Sequence, residues 1–370
     1  MIKVLISANT CWYLFNFRKN TIRSLQENGY HVVVAAPEDD YTSKLKGLGV
    51  EFHNIMIDRN GKNPLKDIKT FLDFLFFYKK NKISCALNFT PKNNIYSTLA
   101  ASMVGIPVIN NIAGLGSMFI EESIMSKIAR LLYKISQPKA RKIFFQNEED
   151  RLLFLKNKIS SELVTDVLPG SGVDLERFKY TPSPNGEVIK FLLVARLIHE
   201  KGITYYANVA KELKNKYGDH VVFYLLGFID EKNPASISKD MVDKWVTEGY
   251  INYLGTSDNV EDDIGRVDCV VLPSFYREGV PRVLLEAAAM GKPLITTDNV
   301  GCRETISDGV NGFLCQPRSV ESLLSAIDKM INLSHDQRLL MGIRSRELVE
   351  KKFDEKIVID KYIHAIKELI

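Results

Sequence analysis

Short runs of apolar residues recur along the whole chain, separated by longer stretches in which apolar positions follow helical spacing. In the first half the runs are residues 2–7, 30–36, 85–89, 107–111 and 142–146. In the second half they are residues 188–195, 221–227, 251–255, 269–274 and 293–297. An apolar run without polar alternation predicts a strand covered on both faces, and helices between such strands make the sheet parallel. The pattern therefore predicts two doubly wound, Rossmann-like α/β domains of similar size, facing each other across a central cleft. Residues 169–187, dense in glycine and proline, break the rhythm and read as a linker. The expected layout is a first domain over 1–168, a second over 188–352, and a last helix near 353–370 packing back on the first. Ligands of such sheets sit beyond the carboxyl ends of the strands, so that edge is where chemistry is sought.

Composition changes this picture little. The chain has 370 residues, 45% apolar and 25% charged, with a formal net charge of +4. That is comfortable for two globular domains and, without a local basic cluster, does not point to nucleic acid. Five cysteines lie far apart with no Cys-x-x-Cys pair, which predicts reduced thiols in a cytosolic setting and no zinc site. The apolar start at Met1 is too short for a signal peptide and reads as a first strand. No apolar run is long enough to span a bilayer.

Candidate chemistry gathers at strand ends of the second half. Arg196 ends one strand, and Lys201 and Gly202 follow at the next helix start. Two cations beside a helix N-terminus suit a diphosphate. Further on, Glu278 and Glu286 lie eight residues apart around the start of an apolar helix, with Gly279 and Pro281 between them. Pro281 fits the first helical position, and Gly279 lets backbone approach a ligand closely. Residues 299–304 (NVGCRE) form a third glycine-bearing turn on the same edge.

Taken together, the Glu278-to-Glu286 segment EGVPRVLLE, the Arg196-to-Gly202 segment RLIHEKG, and the SGVDLERF, NVGCRE and NGFL motifs resemble the retaining glycosyltransferases of family 4. The resemblance spans nearly all of the second half. It implies the type B glycosyltransferase fold, with a nucleotide sugar held by the second domain. By that resemblance Glu286 takes the ribose hydroxyls and Glu278 the hexose hydroxyls near C3 and C4. A carboxylate suits either task because it can accept from both hydroxyls of a vicinal diol. Backbone N–H groups across Gly279, Val280, Pro281's neighbour Arg282 and Val283 are then expected at the phosphates. No Asp-x-Asp motif is present to seat a divalent metal, so no cofactor is expected and Arg196 and Lys201 take the leaving-group charge. The resemblance further implies retention of configuration by front-face attack.

The first half should carry the acceptor. Asn9 after the first strand, residues 90–101 after the third apolar run, and the Gly114-Leu115-Gly116 turn all fall at strand ends. This combination resembles the branch of the family that extends undecaprenyl-diphosphate-linked sugars in O-antigen, capsule or glycan assembly. The first loop departs from many family members in having no glycine between residues 7 and 18. Two helical stretches mix apolar and basic residues: residues 62–82, with Phe71, Phe74, Phe76 and Phe77, and residues 123–142, with Lys134, Lys139, Arg141 and Lys142. Such mixtures describe interfacial helices on anionic lipid. The expected partners are thus a nucleotide sugar, UDP-linked, a lipid-linked saccharide and an anionic membrane surface, with the protein peripheral on the inner face of the plasma membrane. Two other readings share the fold: a sugar-nucleotide 2-epimerase and a non-catalytic sugar-nucleotide-binding subunit. A dinucleotide dehydrogenase would need Gly-x-Gly-x-x-Gly after the first strand, which is absent.

Overall fold

The computed structural model describes residues 1–58, 63–116, 123–230 and 233–370. The chain divides into two compact units, residues 1–171 with 356–370, and residues 172–355. Each is a parallel sheet covered by helices.

In the first unit the strands are β1 (Lys3–Ser7), β2 (His31–Ala36), β3 (Glu51–Asn54), β4 (Cys85–Asn88), β5 (Val108–Ile112), β6 (Lys142–Phe145) and β7 (Thr165–Val167). Their order is β3-β2-β1-β4-β5-β6-β7, all parallel. The order reverses between β1 and β4, which makes the carboxyl edge there a topological switch point. Helices α1 (Cys11–Glu27) and α2 (Thr42–Lys46) follow β1 and β2, and α3 (Pro64–Lys80), α4 (Pro91–Met103), α5 (Ile124–Ser136) and α6 (Glu148–Lys156) complete the crossovers. Start signals are local: Thr10 caps α1, Asn63 with Pro64 opens α3, and Ser123 caps α5. One core lies under α1 and the C-terminal helix, and a second lies under α3, α4 and α5.

In the second unit β8 (Ile189–Val194), β9 (Val221–Leu226), β10 (Asn252–Tyr253), β11 (Cys269–Leu272), β12 (Leu294–Thr297) and β13 (Gly312–Cys315) are ordered β10-β9-β8-β11-β12-β13. All pairs are again parallel, and the switch point falls between β8 and β11. The helices are α7 (Ile203–Tyr217), α8 (Lys239–Thr247), α9 (Val260–Gly265), α10 (Arg282–Ala289), α11 (Val320–Ile331) and α12 (His335–Lys352). The last helix, α13 (Glu355–Leu369), returns the chain to the first unit, where Tyr362 is fully buried against Phe89 and Phe144.

Several strand-level expectations change. Short β3, β7 and β13 were not anticipated, and the run at 251–255 yields only a two-residue strand. The segment read as a linker contributes to the second unit from Gly172 onward: Val173 bridges Asp354, and Phe178 is buried in the core. Of the phenylalanines expected at a membrane, Phe74 and Phe77 are core residues and Phe71 is half-buried, leaving Phe76 exposed. Residue 62 of that stretch lies outside the described residues. All five cysteines are free and buried, and no helix is long and apolar enough to cross a membrane among the described residues.

Candidate active site

Three loops leave the carboxyl edge of the second sheet around its switch point, and backbone contacts bind them into one surface. The first follows β8 and ends in a tight turn, His199–Lys201, before Gly202 opens α7. Gly202 sits in the left-handed region at φ 77°, and a Cβ there would lie 2.1 Å from the Pro273 carbonyl oxygen. Only glycine permits that approach. The second loop, residues 273–281, donates the Phe275 and Tyr276 N–H groups to the Glu200 carbonyl at 2.9 and 3.1 Å. The third loop follows β12. Its Asn299 side chain donates to the Tyr276 carbonyl at 2.9 Å, and Thr297 Oγ1 donates to the Ser274 carbonyl. Gly301, at φ 79°, comes so close that a Cβ would meet the Gly279 carbonyl oxygen at 1.8 Å.

These contacts fix where the charged side chains stand. Glu278 is buried, with its Oε1 accepting from Ser274 Oγ at 2.9 Å and from the Lys201 ammonium. Lys201 lies 5.4 Å from the Tyr276 ring centroid, a cation–π distance. An ammonium has three donors, so pairing with one carboxylate oxygen leaves donors for a ligand. Glu286 is buried in α10 and accepts from Arg282 Nε at 3.2 Å, while Arg282 Nη1 reaches the Gly172 carbonyl at 3.4 Å. Burial pushes the Cys302 thiol up to about 12, helped by the charge of nearby Glu278, so this cysteine is inert at neutral pH. Arg196 is exposed at the end of β8, and its side chain has no hydrogen-bond or ion-pair partner among the described residues.

The structure therefore joins Lys201 and Glu278 directly and places Glu286 on the helix that follows. Two details differ from the sequence reading. Pro281 is not the first helical residue but the N-cap, at φ −63° and ψ 119°; its carbonyl already accepts from Leu285 N, which defines the cap. Lys201 is paired with Glu278, a contact the sequence reading did not foresee. Gly279 and Val280 are buried beside the cap and Val283 is half-buried in the first turn of α10. Ser274 was missed. Its signal was available, since it ends the apolar run at 269–274 immediately before the loop.

In the first unit, half-buried Asn9 follows β1, and Gly114 (φ 94°) and Gly116 (φ 56°) follow β5 on the same carboxyl edge. The stretch beyond Gly116, as far as residue 122, lies outside the described residues. Beneath this edge runs a buried amide network that sequence reasoning did not name. Ser7 Oγ donates to Asn88, Asn88 to Asn110, and Asn110 to Gln137, while Asn111 donates to Tyr362 of α13. Asparagines inside apolar strand runs were the visible sign. Among the described residues no group of three or more His, Cys, Asp or Glu side chains is gathered as a metal site.

Comparison with known proteins finds family models over both halves of the chain. A glycosyl transferases group 1 model matches residues 176–347, and a glycosyl transferase 4-like model matches residues 3–147. The chain belongs to the glycosyltransferases. The match over 176–347 takes in all three loops of the site. This glycosyltransferase is 28% identical over 375 residues to the N,N'-diacetylbacillosaminyl-diphospho-undecaprenol alpha-1,3-N-acetylgalactosaminyltransferase of Campylobacter jejuni, covering 96% of each chain. It is 26% identical, over 73% of each chain, to the UDP-Gal:alpha-D-GlcNAc-diphosphoundecaprenol alpha-1,3-galactosyltransferase of Escherichia coli. The structure of Anabaena HepE in complex with UDP and glucose shares its fold, with a TM-score of 0.80 at 15% identity over the whole of both chains. The fold is thus the type B glycosyltransferase fold.

Proposed function

We infer that this glycosyltransferase moves a sugar from a UDP-sugar to a saccharide carried on undecaprenyl diphosphate, in the synthesis of a bacterial surface polysaccharide or glycan. The observation that carries the reading is the Lys201–Glu278–Ser274 cluster at the switch point, with Glu286 on the following helix. The named relatives supply the substrate class. In this reading the second unit binds the donor: Glu286 takes the ribose, Glu278 the transferred sugar, and backbone from Gly279 to Val283 the diphosphate, at the start of α10. Arg196 and Lys201 neutralise the charge that builds on the departing UDP, each contributing on the order of 10²-fold in rate. These protein cations make the reaction metal-independent, and the configuration is retained. The first unit takes the acceptor through Asn9 and the Gly114–Gly116 turn. Work on a lipid-linked acceptor puts the protein peripherally on the inner face of the plasma membrane.

A panel of UDP-sugars with undecaprenyl-diphosphate-linked saccharides, read by product mass and linkage, tests the proposal. Transfer that persists in EDTA and falls on the order of 10²-fold in Arg196→Ala is the expected result. A new free sugar nucleotide formed without acceptor would instead establish the epimerase reading, and activity lost to EDTA and restored by manganese would overturn metal independence.

A further inference from the structure

Helix α5 is amphipathic the wrong way round for a helix that serves only its own core. Its buried residues are Ser126, Tyr133 and Ser136. The opposite side carries Ile124, Ile128, Leu131 and Ile135, all exposed, with Leu131 at 57%. Their spacing of four, three and four residues sets them on one stripe along the helix. Helix α3 repeats the arrangement: it buries Phe74, Phe77 and Tyr78 and exposes Leu65, Ile68, Leu72 and Phe76 on the other side. Both helices pack against α4, so the two stripes belong to one helical layer of the first unit. A solvent-facing apolar surface of this extent marks an interface.

Charge decides the occupant. No acidic residue occurs in α5, while Lys127 and Lys134 are exposed beside its stripe, and Lys69, Lys79 and Lys80 are exposed on α3. A second copy of the chain pairing through α5 would bring lysine toward lysine with no carboxylate on that helix to relieve it. A bilayer with anionic headgroups satisfies both features, taking the apolar stripe below the headgroups and the lysines among them. We propose that the outward faces of α3 and α5 dock the first unit on an anionic lipid surface, with the α5 stripe inserted. The inference deepens, and rests on, the proposed work on a lipid-linked acceptor. It moves the inserted residues from the phenylalanines of α3 as a group to the aliphatic stripe of α5 and, on α3, to the stripe of Leu65, Ile68, Leu72 and Phe76.

Co-flotation of the full chain with phosphatidylglycerol/phosphatidylethanolamine vesicles, and with phosphatidylcholine vesicles, reads this directly. Wild type should float with both at low salt and more strongly with the anionic ones. Ile128→Glu combined with Leu131→Glu should weaken binding to both by about tenfold or more. Lys127→Glu combined with Lys134→Glu should weaken only the anionic binding, and added salt should erase the difference. All substituted positions are exposed, so melting temperature and UDP affinity should stay at wild-type values. Failure of wild type to float, or flotation of the Ile128/Leu131 variant as wild type, overturns the proposal. So does a wild-type dimer that the same variant dissociates without any vesicle binding, because the occupant is then a second copy. Transfer to a water-soluble acceptor analogue reads the proposed reaction separately: intact transfer without flotation defeats the docking surface alone, and flotation without transfer defeats the reaction alone.

Discussion

Lys201 and Glu278 stabilise each other before any ligand arrives. Their side chains are only 14% and 11% exposed, so either charge left alone would be poorly solvated. Lys201→Ala should therefore do two things: lower kcat on the order of 10²-fold through the lost cation, and lower the melting temperature by stranding Glu278. The second effect separates from the first in Lys201→Ala/Glu278→Gln, whose melting temperature should exceed that of Lys201→Ala although its activity is no better. Equal melting of the two variants would mean the pair adds nothing to stability. Glu278 and Glu286 should divide along the ligand. Glu278→Ala should reduce kcat on the order of 10²-fold with UDP affinity held within about threefold, because contacts to the transferred sugar count most at the transition state. Glu286→Ala should weaken UDP by about tenfold or more, because a ribose contact is worth about the same in ground and transition states. Calorimetric UDP titration of both variants decides it, and equal losses would defeat the division.

At the scale of elements, the site is made by how closely three loops approach. Gly301 and Gly309 have nearly the same left-handed backbone, φ 79° and 75°. Around Gly309 a Cβ would meet nothing within 4 Å, whereas at Gly301 it would overlap the Gly279 carbonyl. Gly309→Ala should then cost only the conformational term, about 1–3 kcal/mol, with kcat unchanged. Gly301→Ala carries the same term plus displacement of the Glu278–Gly279 backbone, so it should be less stable in urea and at least about tenfold slower. Equal stability and equal kcat in the two variants would show that the loop contact does not position Glu278.

Across the whole molecule, pH acts through buried thiols. Burial raises the pKa of all five cysteines, to about 12 for Cys85, Cys302 and Cys315. An unfolded thiol ionises near about 8.5. A folded pKa above the unfolded one gives stability that is complete below the unfolded value and is lost as pH rises toward the folded value. The melting temperature should accordingly fall as pH rises above about 8.5. Lys292 works in the opposite sense. It is fully buried, donating to the Gly265 and Pro182 carbonyls, and burial pulls its pKa down to about 8. The unfolded chain then binds the extra proton between about 8 and 10.4, so the penalty this one group places on folding shrinks as pH rises across that window. Wild type should lose stability less steeply than Lys292→Met over the same range. Parallel pH profiles for the two would remove Lys292 from the account.

The apolar rhythm alone determined two parallel α/β sheets, because a strand buried on both faces cannot hide that in its sequence. Arg196, Lys201 and Glu278 drew notice because they follow strand ends, while Glu286, inside α10, was picked out with them only through the family motifs that contain them. The edge strand β3, Glu51-Phe-His-Asn54, left no such mark, being only partly covered and polar at three of its four positions. Tertiary structure alone decided that Lys201 is shared with Glu278, since residues 77 positions apart meet only when β8 and β11 become neighbours. It also decided which face of α5 is core. Helical spacing shows that an apolar stripe exists, but packing against α4 turns Ser126, Tyr133 and Ser136 inward and leaves the aliphatic stripe outside. A period in sequence specifies a face, and only the neighbouring element specifies what that face meets.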